Sequence, residues 1–424
     1  MDNRPVAGVD VSKYFSDMCI LAPNNEIAGE LHFEHDFNGM TKAKVLLESV
    51  EARYGVKPVI VMEATSHYHR LFFYFLKNNG FEAIVINPLQ SHAIKNISIR
   101  KVKSDRADAY RIALLYRLKE LRLTNAPIDT LFDIRNLTRQ HSDLIKTRTM
   151  YTNRLIADLD QIFPSFHKTF FSLWSATSLA VLEQYPSPQA ILSANPDELG
   201  ALIVKVSRRG PAYARQKVCA LCEYARNDAK LNIQCSSGLV LIKTNLQVIQ
   251  VVNQNLKTLD DEINRMVNCD PVIAENVVLL DSIPGISLFS AAAILAEIGD
   301  FSAFNKPAQL TAYFGLDPST RQSGQFKGVK NKISKRGCRY LRQILNMVAI
   351  ASISRNTTGK TNNPVLEAYY RKKAANKPHK VALCAVMNKL VHIIFAVLRD
   401  RKPFELRQPE DHAAWLKEKN KPAA

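Results

Sequence analysis

The sequence predicts an α/β domain followed by two largely helical regions, the last of them strongly basic. Three observations carry that prediction. Short β-rich runs alternate with helix-like runs over the first hundred-odd residues, helical periodicity then persists almost without glycine, and positive charge gathers towards the C-terminus. A chain of 424 residues is too long for one ordinary core. The composition shifts divide it into residues 1–128, 129–270 and 271–424.

Each element follows from local pattern. Val6–Val11, Asp17–Ala22 and Ile27–Glu34 are strand-like, the last two separated by a Pro-Asn-Asn turn. A helix is expected over Asn38–Tyr54 with Asn38 as its cap. Val59–Met62 is continuously apolar, as a strand covered on both faces must be. A helix from His67 to Asn79, a strand over Glu82–Asn87 closed by Pro88, and a helix from Ser104 to Leu121 with Ser104 as cap complete the domain. Three strands, helix, strand, helix, strand, helix is the order of the RNase H-like fold, in which the first and fourth strands are neighbours.

The middle region reads as two long helices, about Leu131 to Phe163 and Leu239 to Val267. Val248, Val251, Leu256, Leu259 and Ile263 mix steps of three and four, the spacing of a paired helix. A coiled-coil spacer and ordinary helices packed on a domain account for this equally well. Between the two lies a helical insert containing Pro186, Pro188, Pro196 and Pro211. The third region opens with two short helices about Ile283-Pro284-Gly285-Ile286, a helix-hairpin-helix-like motif of the kind that offers backbone N–H groups to DNA phosphates. A glycine-bearing polar loop from Asp317 to Lys332, a helix from Arg336 to Ser354 and a charged, mobile tail after Pro409 follow.

Charge points to the partner. The chain carries a formal net charge of +18. Between Arg321 and Lys380 there are 15 Lys or Arg and a single acid, Glu367, a net of +14. A second cluster runs through Lys95, Arg100, Lys101, Lys103, Arg106 and Arg111. Charge concentrated in this way suits a polyanion such as double-stranded DNA. The seven cysteines are odd in number and scattered, which argues against a disulfide framework and for a reducing, cytoplasmic compartment. Cys219 and Cys222 form one CxxC without a second pair, and are expected on one helix face. No signal-peptide pattern opens the chain, and the apolar run Val381–Leu398 is broken by Asn388, Lys389 and His392, so a packed helix rather than a membrane span is expected.

Four carboxylates stand where metal chemistry would need them. Asp10 interrupts the first apolar strand, Glu63 ends the fourth, and Asp105 and Asp108 are three apart on a helix and so share a face. Clustered carboxylates repel one another, and two hard divalent cations such as Mg2+, or Mn2+ in its place, relieve that repulsion while serving both oxygens of a reacting phosphate. Taken singly, Asp105 and Asp108 read as solvated helix charges and Asp10 as an edge charge. In the basic loop, Ser323 precedes Gly324 between Arg321 and Lys327, where a phosphate can approach. Spacing alone leaves it an ordinary loop serine beside Ser319 and Ser334. Lys327, Lys330, Lys332, Lys335, Arg336, Arg339 and Arg342, with Lys103, Arg106 and Arg321, are assigned to nucleic-acid backbone contacts. For His67, capping or packing the next helix is the plainer role beside contact with the phosphate or a metal, and for Tyr313 and Tyr340 core packing is plainer than stacking on bases.

The runs GVDVSK, VMEATSHY, INPLQSHAIK and KSDRADAYRIA resemble the N-terminal domain of the DEDD transposases of bacterial insertion sequences, a family that includes bridge-RNA-guided recombinases. The runs LLDSIPGIS, LTAYFGLDP, QSGQFKG and SKRGCRYLRQIL resemble the same family's second domain. The likeness covers both ends, roughly two-thirds of the chain. It implies a RuvC-like domain whose metal-binding acids fall on Asp10, Glu63, Asp105 and Asp108, and a nucleophilic serine at Ser323. It further implies Mg2+ as cofactor, a structured guide RNA, a homo-dimer or homo-tetramer, and donor and target DNA as substrates, with no membrane partner. A junction-resolving nuclease using water, or a catalytically dead nucleic-acid-binding protein, are the alternatives.

Overall fold

A computed structural model of the chain describes residues 4–63, 67–86, 105–118, 129–231, 237–319, 322–323, 326–327 and 332–419. Two compact units divide it, Met1–Ala126 and Pro127–Ala424.

In the first unit the described strands form one mixed sheet. β1 (Val6–Val11), β2 (Phe15–Leu21) and β3 (Ile27–Glu34) make an antiparallel meander, and β4 (Val59–Glu63) and β5 (Ala83–Ile86) add in parallel beside β1. The order is β3-β2-β1-β4-β5, so the first and fourth strands are neighbours as expected. β2 starts two residues earlier than its sequence pattern suggests, because Ser12 N–H donates to the Phe15 carbonyl and closes a tight turn.

Strand alternation sends side chains to two separate cores. Ala7, Val9, Met18, Ile20, Ile60 and Met62 face α1 (Phe37–Tyr54) and α2 (His69–Asn78), which contribute Met40, Ala43, Leu47, Phe72 and Leu76. Val6, Cys19, Leu21, Val59 and Val61 face α3 (Asp105–Arg117), which contributes Ala109, Ile112, Ala113 and Leu115. Helices on both faces explain why β1 and β4 are apolar along nearly their whole length. The cap of α1 is Asp36, not Asn38: its carboxylate accepts from Gly39 N–H at 2.6 Å, so the helix begins one residue earlier than expected. Ser104, the expected cap of α3, lies outside the described residues.

Gly8 sets how closely α3 approaches the sheet. A Cβ at that position would stand 2.1 Å from the Ala109 carbonyl oxygen and 2.5 Å from the Ala113 nitrogen. Arg117 Nη2 donates to the Ala22 carbonyl at 2.9 Å and anchors the other end of the helix. Since β2 is antiparallel to β1, Ala22 lies beyond the strand end paired with Val6. Helix α3 therefore runs against β1, and its first turn lies over the strand's C-terminal end.

The second unit is helical. α4 (Asp129–Ile162) and α9 (Gly238–Cys269) pack along one another. His141 meets Asp260 at 3.3 Å, Arg148 meets Asn253 at 3.1 Å, and Asp158 meets Asn245 at 2.6 Å, which makes the pair antiparallel. The buried stripe of α9 runs Leu246, Ile249, Val252, Leu256, Ile263, Val267; Leu256 and Ile263 lie on it as expected, whereas Val251 is 57% exposed and its neighbour Val252 is the buried residue at that turn. Between the arms, α5 (Ala176–Gln184), α6 (Pro188–Ser193), α7 (Pro196–Ser207) and α8 (Pro211–Ala229) close a core of their own around Phe163, Phe166, Leu182, Leu199 and Leu221. Buried Asp228 secures it, accepting from Ser165 N–H at 2.8 Å and from Ser165 Oγ at 2.9 Å. Cys219 and Cys222 sit on α8 as free thiols.

The remaining helices share another core. α10 (Pro271–Asp281) and α11 (Leu288–Ile298) form the helix pair about Pro284-Gly285. Gly285 has φ +102°, and a Cβ there would lie 2.3 Å from Ser352 Oγ, which itself donates to the Pro284 carbonyl. The turn is thus seated on α13 (Arg339–Ile353), with α12 (Pro307–Tyr313), α14 (Pro364–Ala374) and α15 (His379–Asp400) around it. α15 is long and apolar enough to cross a membrane, yet more than half of it is buried inside the protein. The charged tail is not an open strand of chain: α16 (Pro409–Lys419) forms, with Arg407 over the Trp415 ring and His412 stacked on it. Pro409 opens that helix and Glu410 and Asp411 favour its positive end.

Substituting Gly8→Ala forces α3 away from the sheet and is expected to destabilise the first unit by about 3 kcal/mol. Denaturant unfolding of wild type and variant checks this.

Candidate active site

The register of the sheet assembles a row of polar side chains. β1 and β4 run parallel with Val9 opposite Met62, so the next residues, Asp10 and Glu63, come to the same end of adjoining strands. Both share a face with Gly8 and Val61, the face covered by α3. On the other side Asp10 pairs with Asp17 of β2, and Asp17 pairs with His32 of β3. One line across four strands therefore reads His32, Asp17, Asp10, Glu63, with neighbours about 5 Å apart. Asp10 and Glu63 are half-buried; Asp17 is buried, and its carboxylate is held by His32 Nδ1 at 3.1 and 3.2 Å.

Helix α3 brings its acids over the same face. Ala109 lies against Gly8, two residues before Asp10, so the turn that precedes Ala109 is the one above the row. Asp108 is buried there and accepts from Arg111 Nη1 at 2.7 Å, an ion pair one turn apart that reduces the cost of a buried charge. Asp105 is the first residue of the helix; its side chain lies outside the described residues. Asp10, Glu63 and Asp108 are thus gathered on one face at one end of the sheet. The donors are all carboxylate oxygens, the type that hard divalent cations take. Among the described residues, no three histidine, cysteine, aspartate or glutamate side chains close on a common point as they stand.

Ser323 belongs to the second unit. It ends β6 (Gln322–Ser323), paired with β7 (Phe326–Lys327) by Gln322 opposite Lys327 and Ser323 opposite Phe326, a tight hairpin. The side chains of Ser323 and Lys327, and residues Arg321 and Lys330, lie outside the described set, as does Lys103 in the first unit. The neck of the loop is closed: Pro318 bridges Ile333, Ser319 Oγ donates to the Lys332 carbonyl at 2.8 Å, and Ser334 Oγ donates to Asp317. Ser319 and Ser334 are therefore engaged in holding the neck.

Behind it lies a buried polar cluster that the sequence reading missed. Glu297 is 2% exposed and accepts from Arg139 Nε and Nη2 at 2.6 and 2.8 Å. Cys338 Sγ donates to Glu297 at 3.1 Å, and Tyr313 Oη donates to the Glu297 carbonyl at 2.9 Å. Burial first, and Glu297 second, push the Cys338 thiol up to about 11. Burial likewise pushes Tyr313 up to about 12. Both keep their protons at neutral pH and remain donors, and Tyr313 is a packed residue rather than a stacking platform.

The basic residues divide. Arg106, Lys332, Lys335, Arg336 and Arg339 are exposed. Lys335 and Arg336 precede α13 rather than sharing its face, because the helix starts at Arg339, and Lys335 takes a left-handed φ of +56°. Arg342 turns inward, donating through Nη1 to the Phe314 and Gly337 carbonyls. Tyr340 is ringed by the cations of Arg139, Arg339 and Lys146 at 4.7, 5.3 and 5.7 Å.

Both ends of the chain match known family models. The DEDD transposase model of the IS110 group, described as Transposase, matches residues 7–164, and the model described as Transposase IS116/IS110/IS902 family matches residues 277–371. The chain belongs to the DEDD transposases of insertion sequences. This transposase is 24% identical to the 43.6 kDa protein of insertion element IS110 from Streptomyces coelicolor over 88% of its own length and 89% of the relative's. It is 24% identical to the mini-circle putative transposase for IS117 of the same species, over 94% of each chain. The pilin gene-inverting protein of Moraxella bovis is 32% identical over 37% of the transposase chain and 47% of its own.

Asp17 and His32 escaped sequence reading because their place in the row depends on the turn length that sets the β1–β2 register. Replacing His32 with Ala leaves the buried Asp17 carboxylate without that partner and is expected to cost about 1–3 kcal/mol in denaturant unfolding. Cys338 in the folded transposase should resist iodoacetamide at pH 8, where exposed Cys219 and Cys269 react, as peptide mass spectrometry would record.

Proposed function

We propose that this transposase cuts and rejoins DNA strands to move its insertion sequence through a phosphoserine-linked intermediate, on an RNase H-like (RuvC-like) frame. The observation that carries the reading is the placement of Asp10 and Glu63 side by side beneath the acidic first turn of α3. In this reading Asp10, Glu63, Asp105 and Asp108 hold two Mg2+ ions, for which Mn2+ can substitute. Such ions neutralise the phosphate and stabilise the attacking and leaving oxygens.

The chain's own residues supply the rest. Ser323 Oγ attacks the phosphorus; the Oγ–P bond forms as the bond to one sugar oxygen breaks, and that oxygen takes up a proton to leave as a free hydroxyl. The serine proton passes to a carboxylate or solvent base. Because one phosphodiester replaces another, a second strand's hydroxyl can reverse the step and rejoin the DNA without ATP. The engagement of Ser319 and Ser334 in the loop neck favours Ser323 as the nucleophile. The exposed cations Arg106, Lys332, Lys335, Arg336 and Arg339 suit phosphate backbone contacts with DNA and with a structured guide RNA. Ser323 and the acids belong to different units of the chain, which is consistent with composite sites in a dimer or tetramer, one subunit supplying acids and another the serine.

The tests are direct. Asp10→Ala or Glu63→Ala should lower strand cleavage on the order of 10²–10³-fold or more while gel-shift affinity for nucleic acid stays near wild type. EDTA should stop cleavage, and Mg2+ or Mn2+ should restore it. A protein–DNA adduct that survives denaturing electrophoresis should form with wild type and vanish in Ser323→Ala. Free 5′-phosphate ends with no adduct would instead assign a water nucleophile.

A further inference from the structure

The end of the sheet that carries the acidic row also carries a cavity of about 540 Å³. Three segments line this open cleft: the β1–β2 turn with Lys13, Tyr14 and Phe15, the end of β3 with His32 and His35, and the residues leading into α2, His67 and Tyr68. Its size lies in the range of pockets that enclose small organic groups.

Rings rather than charges dominate its walls. Tyr14 is 68% exposed, with Lys13 Nζ 4.6 Å from its ring centroid. Phe15 and His32 have centroids 4.7 Å apart, and His67 lies 4.3 Å from Tyr68. Polar atoms sit among them: His35 Nε2 shares a hydrogen bond of 2.7 Å with buried Ser16 Oγ, and Glu34 stands exposed at the rim. Among the described residues of the lining, Lys13 is the single Lys or Arg and Glu34 and Asp36 oppose it, so these walls suit a ring better than a phosphate. Asp36 is already occupied in capping α1. Flat aromatic surfaces with a few hydrogen-bonding groups are what a nucleobase needs, since every base has a π-face and a polar edge.

His32 ties the cavity to the chemistry. Its ring lines the wall, and its Nδ1 holds Asp17, the residue opposite Asp10. A group in the cavity therefore meets the end of the row that carries the acids, two strands from Asp10. We propose that this cavity receives an unpaired nucleobase of the DNA strand being cut, withdrawn from the stack beside the scissile phosphate. The proposal rests on the strand-cutting reading above and adds a subsite that orients the strand. Enzymes that act on nucleic acids take single bases out of the stack in this way, at an unstacking cost that pocket contacts offset.

The experiment uses the full-length transposase and oligonucleotide substrates in which each nucleotide flanking the cut phosphate is replaced in turn by an abasic site or by 2-aminopurine. At one position the abasic substrate should lower wild-type single-turnover cleavage about 10-fold, the size of one stacking contact. Tyr14→Ala should lose about the same factor on the intact substrate and lose nothing further on that abasic one, while Tyr14→Phe keeps the wild-type rate. Thermal melts of the variants, matched to wild type, separate this from misfolding. In the non-cleaving Asp10→Ala protein, 2-aminopurine at the same position should be quenched on binding, and the quench should disappear when Tyr14→Ala is added. Cleavage with no sensitive position, losses that multiply at every position, or the absence of any quench would each overturn the subsite. Wild type that quenches the probe but cuts no DNA would overturn the strand-cutting reading and leave the base pocket standing.

Discussion

The close contact between helix α3 and strand β1 at Gly8 governs everything that follows at this end of the molecule. The missing side chain lets the Ala109 carbonyl and the Ala113 amide lie against the strand, nearer than any Cβ would permit. Because α3 runs against β1 and is anchored at Ala22 by Arg117, that single approach fixes both the height and the pitch of the helix. Its first turn, where Asp108 is buried, is thereby set at the end of the sheet that carries Asp10 and Glu63. A side chain at Gly8 would thus shift the helix carboxylate of Asp108 relative to those of the sheet.

Much of this was legible in the residues, and the limits are instructive. Apolar runs such as Val59–Met62 marked the buried strands, and the pairing of the first with the fourth followed from element order. Element ends were harder to read, because caps depend on a single hydrogen bond: Asp36 rather than Asn38 accepts from Gly39, and α13 starts three residues later than its arginine spacing suggests. Contacts distant in sequence left no local signal. Asp17 reads as the edge of a strand until the Ser12–Phe15 turn places it opposite Asp10. Glu297, inside an alanine-rich helix, gives no hint that Arg139, some 158 residues earlier, closes on it with two bonds. Arg342 resembles its basic neighbours by type and spacing, and only the folded neck shows it spent on two carbonyls.

The second unit handles its serine loop in a complementary manner. A hydrogen-bonded neck, reinforced by Gly337 packed 2.1 Å (as a would-be Cβ) from the Tyr313 carbonyl, anchors a tip built as a short hairpin. Beneath the neck, Glu297, Arg139, Cys338 and Tyr313 form a set in which each proton has a defined place. Firm roots of this kind are what Ser323 would require in the proposed role of nucleophile.

The antiparallel arms α4 and α9 have a consequence of a different kind. The chain leaves along one arm and returns along the other, and Asp158 still touches Asn245 near the far end. What hangs between them, residues 163–231, closes around an apolar centre to which the arms themselves contribute Leu155, Leu159, Ile242, Leu246 and Ile249, and which is separate from the core of the helices at the arms' base. Such a segment behaves as a cassette on a two-legged mount. Any change in its length has to keep the face that Leu159 and Leu246 bury, but leaves the core at the arms' base untouched, which gives an engineer a site for altering reach away from the remaining helices.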